Sequence, residues 1–488
     1  MKKKLLILQF VLAVVVYSSA QTHLPAILAC NEKLTLAGSP YIVDNTITIK
    51  KGCQLTVDPG VEIRVAENMH LIVRGKVDFL GTALKPIFIH AIDTVWGNIF
   101  LDSTLTQKST FNYVNIENTT ESVGGDQEPA AIYGLYSSLE VKNCHFKNNL
   151  RCISIYQCPN TLFKDCILDS TNIGEKIHGQ YCDNSIIDGC ILYFTSGDRD
   201  AIDFDASKNI VLSNNYIYGG EDDGIDIGQC DSIGCNRVTI EGNYIFNMKN
   251  KGISNGERCL NININHNLII GCAMGIGAKS GAVVVADHNT LFANRLGVNS
   301  YDHLDQIWGP GNLTVTNSII ANSDSTYWVD PTAFLSVSYS LADDTLIPGT
   351  GNIIGDPRFV SATNFHLTSG SLAIDKGDPS FAKDPNGSRT DIGKFYFGDP
   401  TSIQSNRGLE IESVYPNPNK GKFTLNLIPN YEMNHLVIQN ILGQIVEEEN
   451  FFGNKTEHLV VFTPQIQGVY YLRLTSKNSI ATKRIIIY

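Results

Sequence analysis

Residues 219–228 read GGEDDGIDIG, which places Glu221, Asp222, Asp223 and Asp226 within six positions. Carboxylates that close repel, and the cost is offset by a cation, a shared proton or open water. A second acidic stretch, RDAIDFD, contributes Asp200, Asp203 and Asp205. The stretches AIDF, GIDI, GISN, GIGA and GVNS align on Ile202, Ile225, Ile253, Ile276 and Val298. In that alignment Asp200, Asp223, Lys251, Met274 and Leu296 share the position two residues before the isoleucine. Asp203, Asp226, Ser254, Gly277 and Asn299 share the position one residue after it. If the stretches stack, carboxylates from two neighbouring repeats meet and are edged by the amine of Lys251. Such a patch suits a hard divalent cation held by oxygen ligands, next to a group able to move a proton.

Stacking is what the rest of the chain implies. Short apolar stretches recur every 22 to 29 residues: VKNCHF, FKDCIL, IDGCIL, LSNNYI, IEGNYI, INHNLI, ADHNTL and VTNSII. They align on Cys144, Cys166, Cys190, Asn215, Asn243, Asn267, Asn289 and Asn317. Period-two alternation marks them as strands, and no stretch has a convincing helical period. Units this small cannot each bury a core, so they must stack, with equivalent strands about 4.8 Å apart. Aligned isoleucines are expected to fill the interior and aligned asparagine amides to bond along the stack. Cys144, Cys166 and Cys190 share the asparagine slot and read as buried fillers. Cys30 and Cys53 flank the first strands and are the better disulfide candidates, and Cys230 and Cys235 are placed to close a short loop.

The remaining bounds concern location and partners. Lys2, Lys3 and Lys4 precede an apolar run from Leu5 to Tyr17 and then Ser18-Ser19-Ala20, the pattern of a secretory signal peptide over residues 1–20. That run is too short to span a bilayer, and no later segment reads as transmembrane. Removing it takes away three lysines and no acids, so the formal charge moves from −12 to −15. The acidic balance argues against nucleic acid as a partner. A polyanionic ligand would need a local cationic feature or a metal bridge. The expected state is a monomer.

The repeat pattern resembles the right-handed parallel β-helix of pectate lyases, polygalacturonases and related surface proteins, over roughly residues 30–340. LTVDPGVEIRVAENMHLIVRGKVDFLGTALKPIFIHA resembles a common first-coil pattern of that group. GDPRFVSATNFHLTSGSLAIDKGDPS, followed by Asp391-Ile392-Gly393, is similar to a closing segment. The resemblance implies an all-β chain with the β-helix over residues 21–340 and its closing segment over 341–400. A polar, turn-rich stretch then reads as a linker, 401–410. Residues 411–488 read as a small β-sandwich. They carry Tyr415-Pro416-Asn417-Pro418, Gly421, Gly443, Gly468-Val469-Tyr470 and Lys483. In that order these motifs resemble the C-terminal sorting domain of the type IX secretion system of Bacteroidetes. The resemblance implies passage across the outer membrane by that machinery, removal of the domain, and release or attachment at the cell surface.

Two enzyme families have motifs over the acidic repeats. Resemblance to pectate lyases with an all-aspartate calcium site implies Ca²⁺ ligands at Asp200, Asp222, Asp223 and Asp226. The base of that family is a lysine at the position held here by Ser254, so Lys251 on the same repeat is the substitute. Its pKa must be lowered before it can take a proton. Arg199 has the planar fork suited to a substrate carboxylate. Polygalacturonases are similar in RDAID, GEDDGID, NKGISNG and GIGAKSG. That resemblance implies acid and base roles for Asp200, Asp222 and Asp223 and uronate binding by Lys279, although Lys251 and Gly277 replace that family's histidine and arginine. β-Helix proteins of unassigned function resemble the chain in DAID, DDGID, KGIS followed by GE, and GI..K, which adds Glu257. The expected function is calcium-assisted β-elimination on an acidic, uronate-containing polysaccharide, with Lys251, Asp200 and Asp223 catalytic. Arg199, Asp203, Lys279 and Glu257 are expected to bind substrate. The alternatives are a polygalacturonase-like inverting hydrolase and a noncatalytic, calcium-dependent glycan-binding surface protein.

Overall fold

The computed structural model describes residues 21–120, 130–169, 174–195, 199–303, 308–361 and 364–398. In the C-terminal region it describes 411–417, 419–428, 433–440, 445–453, 456–463, 468–476 and 479–487. The signal segment 1–20, the linker 401–410, Pro418 and Gly443 lie outside the described residues. The described residues fall into two compact units, one within 21–357 and 372–394, the other within 358–371 and 395–487.

Short strands with alternating buried and exposed side chains cannot hide their apolar face alone, so in the first unit each lies on the equivalent strand of the next coil. The result is a right-handed parallel β-solenoid of about twelve turns with three sheets of 15, 13 and 13 strands, parallel except for the short strand Ile233–Gly234, which pairs antiparallel in one 13-stranded sheet. The register of one 13-stranded sheet runs Ile177↔Ile202↔Ile225↔Ile253↔Ile276↔Val298, which from Ile202 on is the order the sequence alignment predicts. All six side chains are fully buried. Burial of one such side chain contributes about 1.5–3 kcal/mol.

The asparagine ladder forms at one corner. Asn215, Asn243 and Asn267 each donate a backbone N–H to the Oδ1 of the next ladder asparagine at 2.9–3.0 Å, ending on Asn289. Its last rung differs from the expectation. Asn289 N donates to Ser318 Oγ at 3.1 Å, and Ser318 N to Ser340 Oγ at 3.1 Å. Asn317 instead continues the preceding slot of Asn214, Gly242, His266 and His288, all at positive φ. Asparagine tolerates that left-handed conformation, so Asn317 takes the turn and Ser318 the ladder.

The cysteines follow the same stacking logic. Cys30 and Cys53 are disulfide-bonded, and Cys144, Cys166 and Cys190 are buried free thiols. The pairing of Cys230 with Cys235 is not formed. Cys235 is fully buried in a second ladder, where Ser207 N donates to its Sγ and Cys235 N to Cys259 Sγ, both at 3.2 Å. Cys230 stays on the hairpin opposite Ile233, beside Tyr181. Residues 372–394 run along the left-handed corner. His288 meets Thr390 at 2.8 Å, Asp378 N donates to Asn317 Oδ1 at 2.6 Å, and Arg389 lies over Tyr339.

In the second unit, a three-stranded and a four-stranded antiparallel sheet share one apolar core that includes Phe423, Leu425, Leu436, Leu472 and Ile485. The sorting-motif residues are structural in place: Asn417 Oδ1 accepts from Ile486 N at 2.8 Å, and Lys483 Nζ donates to Ile411 O at 3.2 Å.

Candidate functional site

In the sheet that carries the isoleucines, the positions one and three residues after each isoleucine point outward by strand alternation. Gly224, Gly252 and Gly275, just before their isoleucines, face the core side chains Ile245, Ile269 and Leu291, so the position two before the isoleucine turns outward as well, and parallel pairing lines these positions up into columns. One column holds Asp200, Asp223, Lys251, Met274 and Leu296. The next holds His178, Asp203, Asp226, Ser254, Gly277 and Asn299. A third holds Gln180, Asp205, Gly228, Gly256, Lys279 and Tyr301. The solenoid therefore brings Asp200, Asp203, Asp205, Asp222, Asp223 and Asp226 together, with Lys251 and Lys279 one and two coils on.

The contacts are specific. Asp223 N donates to Asp200 Oδ1 at 3.0 Å. Asp223 accepts from Lys251 N at 2.7 Å and pairs with Lys251 Nζ at 3.2 Å. Asp222 accepts from Asn250 Nδ2 at 2.6 Å. Lys279 Nζ lies 3.7 Å from Glu257, and Asp203 lies 3.8 Å from His178. Two glycines make room for the lysines: a Cβ on Gly277 would stand 3.1 Å from Lys251 Cδ, and one on Gly256 would stand 2.7 Å from Lys279 Cε. Arg199 is half exposed and donates to Glu175 at 3.3 Å.

Burial and crowding set the protonation states. Burial, then the charges of Asp226, Asp223 and Asp222, push the Asp200 carboxyl up to about 9. Burial, then Asp205, Asp200 and Asp226, hold Asp203 well above the usual range. Asp205 is pushed up to about 7 by burial, against the pull of His178. Asp223 is pushed up to about 6 by burial and Asp226, against Lys251. The lowering that Lys251 requires as a base is not present. Burial works against its charge, but Asp223, Tyr301 and Asp226 outweigh burial and raise it. Lys279 is raised in the same way, with Asp226 and Glu257 overcoming burial.

Two donor sets that share Asp200 fit a hard cation, and Asp226 falls in the one with Asp203 rather than the one with Asp222 and Asp223. Oxygens of Asp200, Asp203 and Asp226 lie within 4.8 Å of one another, as do those of Asp200, Asp222 and Asp223. Asp226 Oδ1 is buried with no hydrogen-bond partner among the described residues, and an unpaired carboxylate oxygen is costly unless a cation or proton meets it. His178, Asp203 and Asp205 form a third close group, with a nitrogen donor.

Sequence reasoning passed over the column's upstream end. Counting back two residues from Ile177 and Ile153 gives Glu175 and Arg151, so the column reads Arg151, Glu175, Asp200, Asp223, Lys251. Glu175 is buried, 2.5 Å from Arg151. Tyr301, beside Lys279 in the third column, and Asn250 were also missed. Tyr301 was legible from the same alignment.

Residues 130–291 match the family described as right handed beta helix region, and residues 413–488 match the secretion system C-terminal sorting domain. No curated protein matches the chain in sequence. Similar solved structures include the periplasmic alginate epimerase AlgG, at 12% identity and a TM-score of 0.42, over 64% of this chain and 77% of that one. The Azotobacter vinelandii mannuronan C-5 epimerase AlgE4 A-module is similar at 15% identity and 0.39, over 62% and 89%. Pectate lyase Pel9A is similar at 15% and 0.40, over 72% and 89%. Among the described residues no helix is long and apolar enough to cross a membrane. The chain is thus a right-handed parallel β-helix carrying a C-terminal sorting domain, exported through type IX secretion to the cell surface or beyond it.

Proposed function

We propose that the β-helix acts as a monomer on a uronate-containing polysaccharide, by calcium-assisted β-elimination. The observation that carries this reading is the order of charge on one face, where stacked aspartates give way over two coils to the ammonium groups of Lys251 and Lys279. Asp200, Asp222, Asp223 and Asp226 would hold Ca²⁺, and the bound ion would supply the positive charge that acidifies the proton α to a uronate carboxylate. Lys279 and Arg199, on either side of the patch, bind sugar carboxylates, with Glu257 and Asp203 orienting their neighbours Lys279 and His178. Lys251 Nζ is the group that moves the proton. In its pair with Asp223 it already carries one, so base action requires the charge of Asp223 to be engaged elsewhere. Amine and carboxylates therefore work as a unit.

The spacing bears on the alternatives. Inverting hydrolysis needs carboxyl groups roughly 6.5–9.5 Å apart, with a water between them. The oxygens of Asp200, Asp222 and Asp223 converge to within 4.8 Å, which favours one cation over one water. The noncatalytic reading draws support from the proton held on Lys251 in its pair with Asp223. The test is a panel of pectate, alginate and glycosaminoglycans, with calcium or chelator, followed by near-ultraviolet absorbance of the unsaturated product. Lys251→Ala is expected to keep the fold and cation binding and to abolish that absorbance. New reducing ends without absorbance would favour hydrolysis. Calcium binding with neither signal would favour the binding protein, and a wild type that binds no calcium would refute the reading.

A further inference from the structure

The outward column that contains Asp203 and Asp226 does not stop at the charged coils. Its register continues Ser254, Gly277, Asn299 and Trp328. Trp328 is 48% exposed, whereas Trp96 is fully buried and Trp308 is half-buried beneath Arg258. Trp328 thus stands on an outward strand position with about half of its surface in water, while its neighbour Tyr327 packs against the core.

The floor between the two ends changes character in step. Beyond Lys251 its column presents Met274 and Leu296, both half-buried, and beyond Lys279 the third column presents Tyr301. Gly277 has no side chain of its own, and the side chains of Lys251 and Met274 lie over it. Asn299, 4% exposed, keeps an amide oxygen without a hydrogen-bond partner among the described residues. One end of the face is therefore charged, the other apolar and aromatic, and half-buried Met274 and Leu296 lie between them.

We infer that Trp328 is a stacking platform for the same polysaccharide, some four sugars from the acidic patch. This rests on the reading of that patch as the place where the glycan is engaged. Four rungs separate Asp226 from Trp328, roughly 19 Å at the usual strand spacing, and an extended glycan advances by about one rung per sugar. The apolar face of a pyranose ring stacks on an indole, while its carboxylate points away towards water or the lysines. The chain would then bind along the solenoid axis, and a substrate must be long to reach both ends.

The experiment uses the whole exported protein with polygalacturonate, alginate and hyaluronan as polymers, and a trisaccharide of whichever binds. Binding is read by quenching of tryptophan fluorescence and by calorimetry, with calcium present. Trp328→Ala is expected to weaken polymer binding by about three- to tenfold, to remove most of the quench, and to leave trisaccharide binding and the thermal melt unchanged. Trp328→Phe should restore most of the affinity. If the wild type binds a polymer and Trp328→Ala binds it equally well, this inference falls while the proposed function stands. If the wild type binds none of the polymers, both fall.

Discussion

Adding Ca²⁺ to the metal-free protein at pH 7 is expected to release about one proton for each ion bound. The Asp200 carboxyl is held at about 9 by burial and by the charges of Asp226, Asp223 and Asp222, so at pH 7 its protonated form predominates. Asp223, at about 6, is already mostly ionised. A cation taking oxygens from Asp200, Asp222 and Asp223 must displace the Asp200 proton. Its apparent affinity should therefore rise about tenfold, or about 1.4 kcal/mol, per pH unit from about pH 6 to 9. The same shift bears on folding. Because the folded carboxyl has the higher pKa, the folded chain binds more protons than the unfolded one. Metal-free stability should then fall as pH rises from about 4 towards 9, and bound calcium should reverse that fall. Calorimetric titration in buffers of different ionisation enthalpy gives the proton count directly. Asp200→Asn should bind more weakly and release almost none. Calcium binding by the wild type with no proton release and a flat pH profile would show that Asp200 is ionised at neutral pH, and the argument from burial and crowding would be wrong.

Three further outcomes are expected. Asn243→Leu removes the Oδ1 that accepts from Asn215 N and Nδ2 at 3.0 Å and the Nδ2 that donates to Leu212 O at 2.9 Å. It should cost about 1–3 kcal/mol in denaturant titration, and an unchanged midpoint would remove the ladder's structural role. Glu175→Gln deletes the anion beside the buried Arg151 guanidinium and should cost about 3 kcal/mol by the same measurement. Truncation after Pro400 should abolish export while leaving the melt of the solenoid in place, and normal secretion of the truncated chain would count against the sorting role.

Much of the architecture was legible because a solenoid converts sequence period into spatial neighbourhood. Ile202, Ile225, Ile253, Ile276 and Val298 pair in the order that their motifs align, so the columns holding Asp200, Asp203, Asp223, Asp226 and Lys251 could be written down without coordinates. Cys30 and Cys53 lie on the first coils, and their pairing was readable for the same reason. Alignment failed where two slots accept the same residue type. Asparagine suits both the left-handed turn and the amide ladder, and only the hydrogen bonds of Ser318 and Ser340 place Asn317 in the turn. Cys230 and Cys235 are close in sequence, yet the hairpin and the second ladder carry their side chains to different surroundings.

Protonation was beyond the sequence altogether. Position along the chain says which charges are neighbours, but how deeply each is buried decides which form survives. The sequence by itself determined the repeat, the stacked columns and the sorting domain, because these depend on side-chain order and period. Only the tertiary structure decided that Asp200 keeps its proton, that Lys251 is paired with Asp223 and that Trp328 ends the acidic column in water. Those outcomes depend on solvent access and on contacts between coils, and no local pattern encodes either.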